Sequence, residues 1–376
     1  MKMVFKKQET RSYYDSLPGM LAAFDGYACR DRFCGGTLGE LQSWQEQERK
    51  VLAELIGLDR LTGVKKAGES EARPMAKAKD PTAETETAAE ANGPMTGAKD
   101  PTAGVWAETS RETLPDGITR IRVLFQVDEY AAMPMIVLEP AGEPRGTCLA
   151  LAGHQGAGKE SVAGVRDVKA VREKIDFFNY DYGLKMAGLG FVTICPDQRG
   201  FGERRDEACR GDDLLMSCSC RNLANMAIPM GLSVIGLCTY DYVRLLDHLE
   251  AYGRYDLNNL RCVGFSGGGM QALYLAALDE RVKKVFISGY MYGVRDSLMI
   301  LNSNCSCNYV PGLWEHLDMG DVASLIAPRP LLIQSCRDDH LNGIRGLDNV
   351  YEQMEILKKQ LLMDGHHFIY IHQQEI

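Results

Sequence analysis

The run Gly264-Phe265-Ser266-Gly267-Gly268 places a serine among small residues in the pattern G-x-S-x-G. An apolar segment, LRCVGF, leads into it and an amphipathic one, MQALYLAAL, follows, which predicts a sharp turn from a strand into a helix. Such a turn lifts the serine hydroxyl above the sheet, beside the unpaired N–H groups of a helix N-terminus, where an oxyanion would be stabilised. The pattern therefore predicts Ser266 as a nucleophile, with an ordinary glycine-rich turn as the alternative.

A serine hydroxyl needs a base to take its proton and a carboxylate to orient that base. In serine hydrolases built on this turn, the chain order is serine, acid, histidine. After a later apolar segment, the sequence IAPRPLLIQSCRDD offers Asp338 and Asp339 as the acid. We prefer Asp339, on the resemblance described below; the alternative interpretation is a solvated acidic loop.

The apolar segments predict the elements that must position these residues. TRIRVLFQV and PMIVLEP indicate a hairpin, and further strands are predicted at TCLALAG, FVTICPD, LRCVGF, KKVFISGY, PLLIQS and HFIYIHQ. Helical segments lie between them, among them MAIPMGLSVIGLCTYDYVRLLDHLEAY, which we interpret as one long helix. Strands that alternate with helices over roughly 250 residues predict the α/β class, with a mostly parallel sheet covered on both faces.

Composition divides the chain into three regions. Residues 1–62 are predicted to be an N-terminal helical extension, because LGELQSWQEQERKVLAELIGL has a helical apolar period and Thr37 precedes Glu40 as in a capping box. Residues 63–104 are rich in Ala, Lys, Glu, Thr and Pro and repeat the segment AKDPTA, which predicts a disordered insert. Residues 105–376 form the predicted catalytic domain.

The charge balance limits the partners. With 42 Lys and Arg against 51 Asp and Glu, the net charge is −9, which argues against a nucleic-acid-binding face. No run of 18 apolar residues and no apolar N-terminal signal region is present, so we expect a cytoplasmic protein without a membrane partner. The twelve cysteines are expected to be reduced in that compartment. The expected partner is a small-molecule ester, and the oligomeric state is left open.

From about residue 105 to its end, the chain resembles the α/β-hydrolase superfamily, in the branch of acetyl xylan esterases, cephalosporin deacetylases and dienelactone-hydrolase-like proteins. The resemblance rests on the serine turn and on four further segments, which are, in chain order, AGHQGAGK, CPDQRGFGER, NCSCNYVPGL and IAPRPLLIQSCRDD. It implies an α/β-hydrolase fold and a serine esterase that hydrolyses short acyl esters such as acetyl esters, including esters on carbohydrates, through an acyl-enzyme on Ser266.

The same resemblance implies further roles. Asp339 falls at the acid position, and the backbone N–H groups of Gly267 and Gly156 fall at the oxyanion-hole positions. Asp197 and Arg199 would support the loop beside the site. The sequence departs from the family pattern at Gln155, where a glycine is usual, so the shape of the oxyanion hole is in doubt there.

The catalytic base is the open assignment. In the family the histidine follows the last strand, yet the segment HFIYIHQ, with strand character, already reaches almost to Ile376. His366 precedes this segment and His372 lies within it; otherwise the base lies beyond residue 376, and we expect the chain to be truncated at its C-terminus. A chain that lacked the base would be a non-catalytic binding protein on a hydrolase fold.

The sequence also contains patterns typical of two other classes of site. Residues 153–159 read G-x-x-x-x-G-K, most of a phosphate-binding loop, but Glu160 stands where Ser or Thr would hold Mg²⁺, which disfavours an NTPase. The tripeptide CSC occurs at 218–220 and again at 305–307, and Cys209 and His316 are possible additional metal ligands. Because structural zinc sites prefer two to four residues between cysteines, we interpret these as loop cysteines, and no metal and no cofactor is predicted.

Overall fold

The computed structural model describes residues 16–67, 105–206, 216–361 and 369–373. Within these ranges the strands are β1 Trp106–Thr113, β2 Thr119–Gln126, β3 Ala132–Glu139, β4 Thr147–Leu151, β5 Val192–Pro196, β6 Arg261–Phe265, β7 Lys284–Ser288, β8 Leu331–Cys336 and β9 Ile369–Gln373. They form one nine-stranded sheet in the order β1-β2-β3-β5-β4-β6-β7-β8-β9. The pairs at the β1 end, as far as β3 with β5, are antiparallel, and all the others are parallel.

The described helices lie before the sheet and between its strands. They are α1 Leu17–Tyr27, α2 Leu38–Ile56, α3 Leu58–Ala67, α4 Lys159–Val162, α5 Lys169–Phe178, α6 Tyr182–Gly188, α7 Cys220–Ala227, α8 Val234–Tyr252, α9 Gly267–Leu278, α10 Leu313–His316, α11 Met319–Ser324 and α12 Leu347–Leu361. Single turns of tighter or wider helix occur at Gly202–Arg204, Ile228–Met230, Arg295–Ile300, Ser306–Asn308 and His340–Asn342.

The core lies on both faces of the sheet. Along β3, Met135 and Val137 belong to an apolar cluster with α2, α8, α9 and α12, whereas Ile136 and Leu138 belong to a second cluster with α5 and α6. Because successive strand residues point to opposite faces, both faces are covered. The predicted α/β class is confirmed, with an antiparallel portion in an otherwise parallel sheet.

Two local features of the fold differ from prediction. The predicted hairpin is confirmed as β2 and β3, but β1, which pairs with β2, was not predicted. Its sequence WAETSRET has no apolar alternation because it is an edge strand with mostly exposed side chains. The single long helix predicted from residue 226 is wrong: Pro229 and Gly231, at φ 68°, separate α7 from α8, and the Ser233 hydroxyl begins α8 by accepting from the Gly236 N–H at 3.0 Å.

The N-terminal helices pack directly on the sheet domain. The predicted capping box is present, with Glu40 N–H donating to the Thr37 hydroxyl and the Glu40 carboxylate accepting from Thr37 N–H. Further along α2, the Gln45 amide donates to the carbonyls of Ser324 and Ala327 at 2.8 and 2.9 Å. Helix α3 runs past residue 62, the predicted boundary, to Ala67. Residues 68–104 of the predicted disordered insert lie outside the described residues.

No single helix in the described ranges is long and apolar enough to cross a bilayer. The segments Cys220–Met230 and Val234–Tyr252 meet that criterion only as a pair, by length and composition, and they are bent by 94° at the break between them.

A buried carboxylate on α2 makes stability depend on pH. Glu48 is fully buried, neither of its carboxylate oxygens has a hydrogen-bond partner among the described residues, and burial, reinforced by the charge of Asp31, raises its pKa to about 7. Because the folded pKa exceeds the unfolded value of 4.5, the cost of ionising Glu48 grows as pH rises from 4.5 to about 7 and then stays constant.

Glu48→Gln is therefore expected to raise the free energy of unfolding at pH 8 by about 1–3 kcal/mol and to leave it nearly unchanged at pH 4.5. Urea unfolding at the two pH values measures this difference. Glu46→Gln, on the exposed face of the same helix, is the matched control and should change neither value. An equal gain at both pH values would contradict the assignment of the cost to ionisation.

Candidate active site

Ser266 lies in the turn between β6 and α9. Its backbone has φ 52° and ψ −118°, an uncommon conformation for a residue with a side chain, and its N–H donates to the carbonyl of Ser288 at 2.8 Å. Helix α9 begins at the next residue, Gly267, so the free N–H groups of its first turn lie beside the serine. The predicted strand, turn and helix are all present in this order.

The glycines around the serine are required by close packing of backbone. A Cβ atom on Gly264 would lie 2.1 Å from the carbonyl oxygen of Gly268, and one on Gly268 would lie 1.9 Å from the carbonyl oxygen of Leu151 in β4. Neither neighbour is a side chain that can turn away. The small residues of the G-x-S-x-G pattern thus let α9 start directly against β4 and β6.

Gly268→Ala is expected to displace the first turn of α9 and to lower the free energy of unfolding by about 1–3 kcal/mol, as overpacking in a core does. Chemical denaturation measures the loss. Gly188→Ala is the control, because a Cβ atom there meets nothing within 4 Å, and it should be neutral or slightly stabilising. Equal stability of the two variants would contradict the close packing.

Asp339 follows β8, at the same edge of the sheet as Ser266, because β6, β7 and β8 are parallel neighbours. Its carboxylate accepts from the Leu341 N–H at 2.9 Å, and partial burial raises its pKa above the usual aspartate value. Asp338 is exposed. His340 is 79% exposed, with Nδ1 3.7 Å from the Asp339 carboxylate. Of the two candidate acids, Asp339 is the one held in a fixed position.

The loop after β4, residues 152–158, has an unusual backbone. Gln155, Ala157 and Gly158 all have positive φ, and a Cβ atom on Gly156 would lie 2.7 Å from the ring of Tyr180. The Tyr180 hydroxyl donates to the carbonyl of His154 at the start of the loop. The turn around Gly156 is therefore fixed by its packing, and Gln155 adopts the left-handed conformation that a glycine would favour.

The Asp197 side chain holds the end of the loop after β4 in place. The buried carboxylate accepts from the Lys159 N–H at 2.8 Å, the Lys159 ammonium at 2.7 Å and the Glu203 N–H at 3.0 Å. Burial lowers the pKa of Lys159, but the charges and hydrogen bonds of Asp197, Glu160 and Glu203 together outweigh it, and the pKa lies above the usual lysine value. The Lys159 ammonium is therefore already paired with carboxylates, so it is unsuited to bind a phosphate as the NTPase alternative requires.

Arg199 makes a separate ion pair with a buried carboxylate, that of Asp241. Its guanidinium donates to both oxygens of Asp241, at 2.9 and 2.7 Å, and Arg204 donates to the same carboxylate at 2.7 Å. Burial raises the pKa of Asp241, but the two guanidinium groups outweigh it, and the pKa lies below the usual aspartate value. These contacts hold the segment after β5 to α8.

Of the two histidines that are candidates for the base, the structure describes only the backbone of His372. His372 lies in strand β9, as the sequence predicted, and the structure pairs it with Ser335 of β8. His366 and the side chain of His372 lie outside the described residues. Elsewhere, His248 stacks on Trp106, and burial lowers its pKa, while His316 Nδ1 contacts the Asp31 carboxylate at 2.5 Å.

A cluster of sulfurs, which we call the thiol cluster, lies beside the start of α9. His154, Cys218, Cys220 and Cys305 place one donor atom each within 4.8 Å of one another. Hydrogen bonding with Cys218 and Cys220 lowers the pKa of Cys305 far below the usual value for a thiol. Cys307 is adjacent, with its Sγ 3.3 Å from His154 Nε2.

The sequence interpretation did not assemble this cluster. It joined the two CSC tripeptides to Cys209, which lies outside the described residues, and to His316, which is engaged by Asp31. The missing histidine is His154, in the loop after β4. The repeat of the same tripeptide was the available signal, but only the fold brings the two copies and His154 together.

Comparison with known proteins agrees with this architecture. No protein-family model matches the chain. It is 27% identical over 172 residues to "Putative hydrolase YtaP" of Bacillus subtilis (strain 168); the match covers 45% of this chain and only 54% of that protein, so the chain spans about half of its relative.

Among solved structures, the chain is similar to the "putative acetyl xylan esterase (BF1801)" of Bacteroides fragilis NCTC 9343. The TM-score is 0.67 at 16% identity, over 98% of this chain and 84% of that one. A glucuronoyl esterase from Solibacter usitatus gives a TM-score of 0.51 at 14% identity, over 74% and 84% of the two chains. The predicted resemblance to acetyl xylan esterases is confirmed at the level of the fold.

Proposed function

We propose that this chain is a serine-dependent carboxylic ester hydrolase with Ser266 as its nucleophile. The observation that carries the proposal is the backbone of Ser266, which is held at φ 52° between β6 and the first turn of α9. Strained backbone persists where the surrounding structure enforces it, and here the packing of Gly264 and Gly268 does so. This geometry presents a hydroxyl at the carboxyl edge of a parallel sheet, next to free N–H groups.

In the proposed reaction, Ser266 Oγ attacks the ester carbonyl and forms a tetrahedral intermediate. The N–H groups of Gly267 and Gly156 stabilise its oxyanion; the positive φ values of Gln155 and Ala157, on either side of Gly156, support this role because such backbone gathers N–H groups into an anion-binding concavity. The alcohol then leaves with the proton taken from Ser266, and water hydrolyses the acyl-enzyme. Asp339 orients the base, and Asp197 and Arg199 hold the neighbouring segments.

We assign the base to His372 rather than His366. Strand β9 is parallel to β8, with Gln373 opposite Cys336, so the carboxyl end of β9 shares the sheet edge from which the chain continues to Asp339. His372 is one residue from that end. His366 precedes the amino end of β9, and five residues of strand span about 16 Å.

The substrate class is part of the proposal. The structures that share this fold are named as esterases of acetyl xylan and of glucuronoyl groups, which supports an ester on a carbohydrate. We propose a short acyl group, acetyl in the first instance, carried by a small carbohydrate. A short acyl group also suits a site where the loop after β4 packs closely on the start of α9.

The proposal is tested by hydrolysis of 4-nitrophenyl acetate and of acetylated xylo-oligosaccharides, together with labelling by a fluorophosphonate probe, which reacts with activated serines. We expect hydrolysis of both substrates and one label on Ser266. His372→Ala should lower hydrolysis at least about 10²-fold, as loss of a general base does, whereas His366→Ala and the exposed control His340→Ala should not.

Each contrary result has a defined meaning. Loss of activity in His366→Ala alone would overturn the assignment of the base and leave Ser266 in place. A folded chain with neither hydrolysis nor labelling would overturn the enzymatic proposal in favour of a binding protein on a hydrolase fold.

A further inference from the structure

The thiol cluster brings together three segments that are far apart in sequence. His154 lies in the loop after β4. Cys218 lies two residues before α7 and Cys220 is the first residue of α7, while Cys305 directly precedes the turn Ser306–Asn308. The ester-hydrolysis mechanism proposed above uses none of these side chains. We propose that His154, Cys218, Cys220 and Cys305 form a zinc site, and that the ion fixes the loop after β4 against the start of α9.

The donor set and its dimensions suit zinc. Zinc–sulfur bonds of about 2.3 Å in a tetrahedron place the sulfurs about 3.8 Å apart, and the four donor atoms here already lie within 4.8 Å of one another. Three thiolates and one imidazole form one of the ordinary structural zinc sets. The one-residue spacing disfavoured zinc in the sequence, yet the fold places the Cys218 and Cys220 sulfurs within 4.8 Å of each other and of the other two donors. The second tripeptide supplies Cys305 alone.

The environment of the cluster favours a bound ion over solvated thiols. Cys220 is fully buried and the other three ligands are half-buried. The ring of His154 packs against Phe201, with 4.9 Å between the ring centroids, which fixes its plane. Nε2 of His154 faces the sulfurs, 3.9 Å from Cys220 Sγ. An imidazole nitrogen that faces several sulfurs is a donor set that suits a soft divalent ion such as Zn²⁺.

Binding is an exchange of protons for the ion. Three thiols release their protons to solvent as Zn²⁺ forms three bonds to sulfur and one to His154 Nε2, which leaves a complex of net charge −1. Four protein ligands complete a tetrahedron, so the ion has no open position for substrate and acts on structure. Cys307, whose amide neighbour Asn308 donates to it at 3.6 Å, lies outside the set of four as a second-sphere sulfur.

The position of His154 connects the site to the active centre. A Cβ atom built on Gly267 would lie 2.6 Å from His154 Nδ1, so the imidazole packs directly on the residue after Ser266. Gln155 and Gly156 follow His154 immediately. An ion that holds His154 would therefore fix the spacing between the two N–H groups assigned to the oxyanion hole; this consequence, unlike the metal site itself, rests on the proposed function.

The test begins with the metal content of the full chain purified without a metal-affinity tag. Elemental analysis should find about one zinc per chain, removable by a strong chelator and restored by added Zn²⁺. Replacement by Co²⁺ should give the intense visible and near-ultraviolet bands of tetrahedral cobalt thiolates. Zinc and cobalt binding are measured on the folded wild-type chain, so this part of the test does not depend on variants that could fail to fold.

Variants then identify the ligands. Cys218→Ser and Cys305→Ser should each lose most of the zinc, and His154→Ala should do the same. Cys307→Ser, next to the four ligands, and Cys34→Ser, an exposed cysteine elsewhere, should keep it. Loss of zinc from Cys307→Ser with retention in Cys218→Ser would overturn the ligand assignment.

Two results would overturn the site altogether. One is a folded chain that takes up neither zinc nor cobalt. The other is a purified chain in which mass spectrometry finds disulfides among the cluster cysteines, since oxidised sulfurs cannot bind the ion. Both readouts are independent of hydrolysis: an inactive chain that binds zinc leaves this site intact, and an active chain without zinc leaves the proposed function intact.

Discussion

Ser266→Ala is expected to lower kcat/KM for 4-nitrophenyl acetate by about 10³–10⁶-fold and to abolish fluorophosphonate labelling. The reason is that the hydroxyl forms the covalent bond to the acyl group, and the remaining N–H donors and binding contacts support only a small residual rate. Initial rates and labelling of the purified variant measure both effects.

A second substitution at this position separates chemistry from folding. Ser266→Gly should be as inactive as Ser266→Ala, yet at least as stable as wild type, since glycine adopts φ 52° without strain. If Ser266→Gly retained more than a few per cent of the activity, the nucleophile would have to be another residue.

Asp197→Asn is expected to lower the free energy of unfolding by about 3–5 kcal/mol, because it leaves the Lys159 ammonium buried without its principal counter-charge. Asp197 is fully buried, and it is the only carboxylate within the described residues that bonds both the backbone and the ammonium of Lys159. Chemical denaturation at pH 7 measures the loss.

The matched control is Glu203→Gln. Glu203 also contacts the Lys159 ammonium, but its side chain is 63% exposed, so its loss should cost less than about 1 kcal/mol. At pH 7 the contribution of the Lys159 pair is fully present, and it is lost in alkaline solution as pH rises through the folded pKa of Lys159, which lies above the unfolded value of 10.5. Equal losses from the two variants would show that burial does not decide the strength of this pair.

Local sequence patterns correctly predicted those structural features that depend only on residues close together in the chain. The capping box at Thr37 and Glu40, the hairpin of β2 and β3, and the strand, turn and helix around Ser266 are each set by a few adjacent side chains or by backbone that only glycine allows. The break between α7 and α8 could also have been predicted, since Pro229 and Gly231 stand in the middle of the apolar run.

Features that depend on distant contacts were not predictable in the same way. Strand β1 has an ordinary polar sequence and is defined by its pairing with β2. The thiol cluster needs β4, α7 and the turn at Ser306–Asn308 to be packed together before any relation between His154 and the cysteines exists. The fully buried Glu48 lies on α2, which packs against the adjacent α3 but also against α8 and α9, more than 150 residues away in sequence.

The packing of the N-terminal helices has a consequence for how the molecule holds together. Gln45 and Arg49 of α2 bond to carbonyls near Ser324 and Leu325, and Leu52 and Ile56 are fully buried in the main core. These contacts form a subunit-like interface within one chain. The covalent link through residues 68–104 is then not what keeps the helices in place, and a chain cut in that region should behave as a two-fragment complex rather than as a domain that has lost its extension.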